Sequence, residues 1–161
     1  MEYTAGDFIL VRGTGLFDRL IQFGQSLRFS KEQSKFNHTA LIVASDGSLI
    51  EAIGGGVKLT NISKYPVDQF KIIHINASVE DRTEMISFAK SCLNDGYGFL
   101  NFICAAFCVL TGLKLIFGFS STDICSGLIA RALERTSFIP RKDPIAYTPA
   151  DLAKDFEKGG I

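Results

Sequence analysis

A predicted β-hairpin centred on Asp46-Gly47 constrains the fold of this chain more than any other short stretch. Asp-Gly is a strong hairpin signal because it suits the backbone conformations of a tight turn. Apolar and β-branched residues flank it and predict strands over residues 36–44 and 49–53. If Asp46 and Gly47 form a two-residue turn, Ile42 lies opposite Glu51, and the even-numbered residues from His38 onward share a face with Glu51.

Other apolar patterns predict further strands and helices around this hairpin. Short strands are expected over residues 7–12, 57–62 and 70–76, and helices over residues 16–29 and from Ser78 or Asp81 to about Leu93. Residues 30–35 are polar and predict a loop. A last helix is expected to have Thr148 as its cap and Pro149 at its first position. Together these elements predict the α+β class.

The helix over residues 16–29 has a pronounced apolar face. We expect that face to pack against the core, as it does in most surface helices of globular proteins. The polar residues of the opposite face would then lie in solvent; they are Asp18, Arg19, Gln22 and Gln25.

The size and charge of the chain restrict its class. Its 161 residues suffice for one domain with its own core, which we place over residues 1–161. Seventeen basic residues balance seventeen acidic ones, so the chain lacks the basic excess typical of nucleic-acid binding. The first residues do not resemble a signal peptide, and the four cysteines form no CxxC pair. These features predict a cytoplasmic protein without a metal site.

A cysteine follows a cluster of helix-capping residues. Ser121, Thr122 and Asp123 can each cap a helix, and the apolar residues after them recur at helical spacing. Cys125 would then lie in the first turn, where free backbone N–H groups and the helix dipole stabilise a thiolate. Such a position suits a nucleophile. The alternative is that Cys125 is a small buried apolar residue, as free cysteines often are.

A thiol nucleophile needs a base, and the chain has two histidines. His74 lies within an alternating strand pattern and is interpreted as structural. His38 begins the hairpin that also carries Glu51, but in the predicted register the two residues lie roughly 13 Å apart along the strands. Twist, a bulge or another register would have to bring them together. Otherwise Glu51 is an unrelated polar residue.

Several short motifs, read in chain order, resemble one known family. The motifs are Gly6-Asp7-Phe8-Ile9-Leu10, Asn37-His38-Thr39-Ala40-Leu41-Ile42-Val43, Asp46-Gly47, Ile50-Glu51-Ala52, Gly56-Val57, Lys64-Tyr65, Gly96-Tyr97, Asp123-Ile124-Cys125-Ser126-Gly127-Leu128-Ile129 and Thr148-Pro149-Ala150-Asp151-Leu152. This order resembles the circularly permuted branch of the NlpC-type papain-like cysteine hydrolases, in which the His strand precedes the Cys helix. The resemblance spans nearly the whole chain, and the lecithin:retinol acyltransferase family is a more distant relative of that branch.

The resemblance implies a permuted papain-like fold with a small antiparallel sheet packed on helices, and a role for each matched residue. Cys125 would be the nucleophile, with its backbone N–H as an oxyanion donor. His38 would be the general base, oriented by Glu51. Residues expected to contribute to substrate binding are Tyr97, Ser126 and Asn37. No metal or organic cofactor is implied.

The stretch over residues 99–119 is the most apolar of the chain. Three interpretations remain open for it: a buried helical pair, an apolar lid or acyl-binding wall near the thiol, and a membrane span. About 20 apolar residues suffice to cross a bilayer, but Lys114 and Gly112 argue against a clean span. The stretch therefore leaves contact with a lipid or membrane surface as an alternative, and the oligomeric state is not determined.

These observations predict a thiol-dependent amidase or peptidase, and the expected substrate is a peptide or isopeptide of the cell-wall type. The first alternative is a lipid acyl hydrolase or acyltransferase that uses the apolar stretch. The second alternative belongs to another class and is a catalytically silent module that binds peptides or lipids.

Overall fold

The computed structural model describes residues 3–53, 56–93, 125–137 and 143–156, and within these ranges the protein has the predicted α+β fold. The strands are β1 (Phe8–Val11), β2 (His38–Ile42), β3 (Ser48–Ile53), β4 (Gly56–Asn61) and β5 (Phe70–Ile73). The helices are α1 (Leu16–Ser26), α2 (Lys31–Ser34), α3 (Val79–Ser91), α4 (Cys125–Leu133) and α5 (Pro149–Asp155). Short 3-10 turns cover Ile62–Lys64, Val67–Gln69 and Pro144–Ala146.

The five strands form one antiparallel sheet in the order β4-β3-β2-β1-β5. The first strand of the chain therefore lies inside the sheet, between β2 and β5. Its side chains alternate between two apolar layers, because successive residues of a strand point to opposite faces. Phe8 and Leu10 belong to one buried cluster, whereas Ile9 and Val11 belong to the other.

The larger cluster joins the sheet to the helices that follow it. Leu41 and Ile50 from the sheet share this cluster with Met85 of α3, Leu128 of α4 and Leu152 of α5. It thus contains residues from all four described ranges. Helix α4 contacts both β2 and β3, so this core fixes the position at which α4 begins.

The hairpin between β2 and β3 has a longer loop than the sequence predicts. Val43 N–H donates to Ser48 O over 2.8 Å, which leaves residues 44–47 as the loop. Gly47 adopts a φ of 83° and its N–H donates to Ala44 O, while the Asp46 carboxylate accepts the Ser48 N–H over 2.9 Å. This side-chain bond is the Asx-turn geometry that Asp favours.

The longer loop shifts the register of the hairpin by two residues. Ile42 lies opposite Leu49, and Leu41 lies opposite Ile50. The prediction that Ile42 faces Glu51 is therefore wrong, because it assumed a two-residue turn. Continuing the observed register places Ala40 opposite Glu51, so His38 and Glu51 still share one face of the sheet, as predicted.

Helix α1 departs from the sequence prediction in part: Arg19 is exposed and Gly24 is buried as expected, but several apolar side chains point outward and Gln25 points inward. Four of its apolar side chains are exposed, namely Leu16 (81%), Leu20 (45%), Phe23 (62%) and Leu27 just after its end (67%). Gln25, expected in solvent, is instead 1% exposed and hydrogen-bonded within the protein. The periodicity identified the helix, but it does not determine which face packs inward.

Capping residues account for the N-terminal boundaries of three of the five described helices. Ser78 caps α3 and Thr148 caps α5, with Pro149 at the first position of α5, as predicted. The predicted loop over residues 30–35 contains the short helix α2, because Ser30 accepts the Gln33 N–H and forms a capping box. The capping residues predicted for α4 lie outside the described residues.

Strand β5 ends at Ile73, earlier than the predicted boundary at residue 76. The reason is that the Ile75 N–H donates to the Asp7 carboxylate over 3.2 Å and leaves the strand ladder. Among the described helices, none is both long and apolar enough to cross a bilayer. The apolar stretch over residues 99–119 lies outside the described residues, so its three interpretations stay open.

Candidate active site

A histidine and a buried carboxylate meet where β2 begins. His38 is the first residue of β2, and its Nε2 lies 2.7 Å from Glu51 Oε2 in the middle of β3. The Glu51 side chain is fully buried and that of His38 is 17% exposed. The two-residue register shift makes this contact feasible, since it reduces their offset along the strands to about 7 Å, which two long side chains span.

Glu51 accepts hydrogen bonds from three further side chains. Its Oε1 accepts from Thr60 Oγ1 over 2.5 Å and from Lys64 Nζ, and its Oε2 also accepts from Tyr65 Oη over 2.5 Å. Burial alone would raise the pKa of this carboxyl, but bonds from His38, Lys64, Thr60 and Tyr65 outweigh it and lower the pKa to about 2. Glu51 is therefore ionised throughout the neutral range, with every oxygen satisfied.

Cys125 interacts with the same imidazole. It is the first residue of α4 as described and is partly buried. Burial lowers the pKa of His38, but the charge of Cys125 and its hydrogen bond to the ring raise it, as do the bond and charge of Glu51, so that the pKa reaches about 9. Because Nε2 bonds Glu51, Nδ1 is the ring nitrogen left for Cys125. With a pKa of about 9, His38 is an imidazolium at neutral pH, hydrogen-bonded to the ionised Glu51.

Tyr65 is part of the same cluster. Its burial raises the pKa of the phenol, and the hydrogen bond and charge of Glu51 raise it further, followed by the charges of Cys125 and Asp18. The phenol is therefore a permanent hydrogen-bond donor to Glu51. Its ring centroid lies 6.3 Å from that of His38, which places the aromatic ring beside the imidazole.

Thr60, Lys64 and Tyr65 have no catalytic role that the sequence alone predicts. Thr60 could have been found from strand pairing, since Lys58 lies opposite Glu51 and Thr60 is two residues further on the same face. Lys64 and Tyr65 follow β4 in a 3-10 turn, so no regular period predicts where they point. Lys64 and Tyr65 appeared only as a short motif.

The three residues expected at the substrate differ in their placement. Asn37 is 6% exposed and links α1 to β2: its Oδ1 accepts from Gly13 N–H over 2.6 Å, and its Nδ2 donates to Asp18 Oδ1 over 2.5 Å. Ser126 is fully buried, and its hydroxyl donates to Tyr147 O over 2.7 Å. Both side chains are thus engaged by the fold. Tyr97 lies outside the described residues, and substrate binding by all three stays a prediction.

His74 lies in a separate polar cluster, just after the end of β5, and its interpretation as structural stays a prediction. Its Nδ1 lies 2.6 Å from Asp7 Oδ2, and Arg82 donates to Asp7 Oδ1 over 2.8 Å. Asp7 is 1% exposed, whereas the His74 side chain is 70% exposed. The cluster connects β1, α3 and the segment after β5.

The described ranges hold no metal site, and a depression on their surface lies away from the candidate residues. No group of three or more His, Cys, Asp or Glu side chains there has the arrangement of a metal site. A shallow depression of about 370 Å³ lies along α3 beside Arg135 and includes Thr83, Glu84, Ser87 and Phe88. It contains none of His38, Glu51 and Cys125, so we do not assign the substrate to it.

Comparisons with known proteins do not assign the chain to a family. No protein-family model matches it, and no curated protein matches its sequence.

Proposed function

We propose that the protein is a thiol-dependent acyl hydrolase that cleaves an amide, with a permuted NlpC-type papain-like topology. The observation that carries the proposal is the relay of Cys125, His38 and Glu51, in which one imidazole interacts with a thiol at a helix start and with a buried carboxylate. Nucleophile, base and orienting group in contact form the arrangement that thiol catalysis requires. The proposed substrate is a peptide or isopeptide amide of the cell-wall type.

The proposed reaction uses these residues in two stages. Cys125 Sγ attacks the carbonyl carbon, and the resulting tetrahedral intermediate collapses when His38 protonates the leaving amine. This leaves a thioester between Cys125 and the acyl group. His38 then takes a proton from water, the hydroxide attacks the thioester carbon, and the Cys125 thiolate leaves with the acid as product. Glu51 stays ionised throughout and stabilises the imidazolium.

The start of α4 suits the charge that develops on the substrate oxygen. The first N–H groups of an α-helix have no partner within the helix and point along its positive end. The backbone N–H of Cys125 is therefore proposed as one oxyanion donor. The order of elements, with the His38 strand before the Cys125 helix, supports the permuted topology.

A second candidate is hydrolysis or transfer of a lipid acyl group by the same three residues. The observation that favours it is the set of exposed apolar side chains on α1. Asp18 of this helix is hydrogen-bonded to Asn37, the residue directly before His38. In acyl transfer, an alcohol or amine would replace water in the second stage. A silent binding module with an inactive thiol is the remaining alternative.

Selective alkylation tests the proposal on the full chain. Iodoacetamide at pH 6 should modify Cys125 at least tenfold faster than Cys92, which is buried, because only an activated thiolate reacts quickly at that pH. His38→Ala should remove the difference, while His74→Ala should not. Equal, slow labelling of both cysteines would support the binding-module alternative. Turnover of peptide amides against acyl esters then separates the two enzyme candidates, with Cys125→Ser as the inactive reference.

A further inference from the structure

Helix α1 directs Gln22 and Gln25 toward the protein and several of its apolar side chains toward solvent. Leu16, Leu20, Phe23 and Leu27 are 45–81% exposed and recur at spacings of four, three and four residues. They form one stripe about 16 Å long at 1.5 Å of rise per residue. Soluble surface helices have the opposite arrangement, and contiguous exposed apolar residues commonly mark an interaction surface.

Hydrogen bonds fix this orientation. Gln25 Nε2 donates to Phe36 O over 2.8 Å, and Gln25 Oε1 accepts the Ala150 N–H over 3.0 Å. One turn earlier, Gln22 Nε2 donates to Gly13 O over 3.0 Å. Rolling the apolar stripe inward would break these bonds and leave Gln25 partners unsatisfied in the interior. The exposure of the stripe is thus determined by hydrogen bonds within the fold.

The exposed charges around the stripe are mainly basic. Residues 11–35 contain five Lys and Arg but only two Asp and Glu, although the whole chain has seventeen of each kind. Of the two acids, Asp18 is directed to Asn37 and Gly15, and Glu32 is paired with Lys35. The exposed cations of this segment are Arg12, Arg19, Arg28 and Lys31, of which Arg19 lies within α1 and Arg28 directly follows Leu27.

We propose that this face of α1 docks on an anionic lipid surface. An apolar stripe flanked by Arg and Lys is the pattern of a helix that lies in the membrane interface, with its apolar side chains in the acyl boundary and its cations at the phosphates. The basic residues favour an anionic lipid surface over a second copy of the chain, because pairing two such faces would bring their cations together. Docking does not depend on the chemistry at Cys125.

Docking would place the candidate active site close to the membrane. Asp18 of α1 accepts from Asn37 over 2.5 Å, and Asn37 directly precedes His38. A lipid surface in contact with Leu20 and Phe23 would therefore lie one helix away from the imidazole. The inference concerns membrane binding alone and holds whether the substrate is a peptide or a lipid.

Vesicle co-sedimentation of the full chain tests the proposal. Binding is expected to phosphatidylcholine vesicles that contain phosphatidylglycerol, with at least tenfold weaker binding to phosphatidylcholine alone. Leu20→Ser with Phe23→Ser should reduce binding at least tenfold, and Arg19→Gln with Arg28→Gln should reduce the preference for anionic lipid. The matched control is Leu59→Ser with Val67→Ser, since both of these residues are exposed apolar side chains elsewhere (60% and 66%). The control should bind like the native chain.

Other results would overturn the proposal. One is absence of vesicle binding by the native chain, and another is equal loss in the α1 and control variants. A dimer in light scattering that Leu20→Ser with Phe23→Ser dissociates, without vesicle binding, would assign the face to self-association. Cys125→Ser should bind vesicles normally, so failure of the hydrolase proposal and failure of this one give different results.

Discussion

His38 Nε2 lies 2.7 Å from Glu51 Oε2, although the two residues are not opposite each other in the sheet. The contact runs diagonally, from the first residue of β2 to the middle of β3. It therefore depends on the four-residue loop that sets the register of the hairpin. A turn shorter by two residues would separate the base from its carboxylate.

Replacing Glu51 tests whether the carboxylate maintains the imidazolium. Glu51→Gln should lower the pKa of His38, because it removes the buried negative charge beside Nε2. We expect alkylation of Cys125 at pH 6 to slow about tenfold, which corresponds to one pKa unit or about 1.4 kcal/mol. NMR titration of His38 and the labelling rate measure the two effects. Glu84→Gln, at an exposed position on α3, is the control and should change neither.

The raised pKa of His38 predicts where activity is lost at high pH. The proposed amide cleavage needs the imidazolium to protonate the leaving amine, so turnover should fall about tenfold per pH unit above a pKa of about 9. Alkylation of Cys125 needs only the thiolate and should not fall over the same range. Parallel pH profiles of both rates check this. A common decline of both rates would contradict this assignment, because protonation of the leaving amine has no part in alkylation.

The raised pKa of His38 also predicts that the free energy of unfolding depends on pH. His38 has a pKa of about 9 in the folded protein, above its ordinary value of 6.5, so its contribution is complete below pH 6.5 and disappears as the pH rises through 9. Glu51 behaves oppositely: its contribution is present above pH 4.5 and disappears as the pH falls toward 2. Urea unfolding should show both slopes. In His38→Gln the decline between pH 6.5 and 9 should be absent.

Tyr65 is expected to position the carboxylate. Its hydroxyl shares Glu51 Oε2 with His38, so Tyr65→Phe leaves that oxygen with a single donor. We expect the pKa of Glu51 to rise and Cys125 labelling to slow by about threefold, in line with the loss of about 0.7 kcal/mol from one hydrogen bond. Tyr3→Phe serves as the control. Unchanged labelling in Tyr65→Phe would mean that Lys64 and Thr60 hold Glu51 without it.

Asn37 couples α1 to the site through hydrogen bonds that a carboxylate cannot replace. Asn37→Asp would set an acceptor against Asp18 Oδ1, now 2.5 Å from the Asn37 amide nitrogen. We expect a loss of about 2 kcal/mol in the free energy of unfolding at pH 7, because the bond is lost and two carboxylates repel. Part of this loss should be recovered near pH 4. Asn76→Asp, at an exposed site, should cost less than about 0.5 kcal/mol.

The cluster of His74, Asp7 and Arg82 should affect the stability of the protein and not the reactivity of Cys125. Arg82→Met removes the cation from Asp7, which is 1% exposed, and should destabilise the protein by about 3 kcal/mol, as for other broken buried ion pairs. His74→Ala should cost less than about 1 kcal/mol, because that side chain is 70% exposed. Thermal unfolding measures both. Neither change should affect the labelling rate of Cys125 once folding is controlled for.

Local patterns predicted most of the elements but not the orientation of α1 or the register of the hairpin. The caps at Ser78 and Thr148 depend only on contacts within the first helical turn, so a local pattern suffices to predict them. The face that α1 presents is decided by distant partners of Gln25, at Phe36 and Ala150, which no local period contains.

The candidate site was likewise predictable only where local patterns determine it. Cys125, His38 and Glu51 were identified by residue type and motif order, and their parity on the sheet follows from a period of two. The contact itself required the loop of residues 44–47, whose length depends on how Asp46 and Gly47 bond their neighbours. The donors Lys64 and Tyr65 lie in an irregular turn, where side-chain direction follows tertiary packing.

The order of the strands and α4 along the chain has a consequence for synthesis on the ribosome. All five strands precede Cys125, so the imidazole and its carboxylate can assemble in a nascent chain that still lacks the thiol. Cys125, the proposed nucleophile, meets His38 only when α4 packs on β2 and β3, after all of these strands have been translated. Expressing the two segments as separate polypeptides would give a thiol whose proposed activation reports their reassembly.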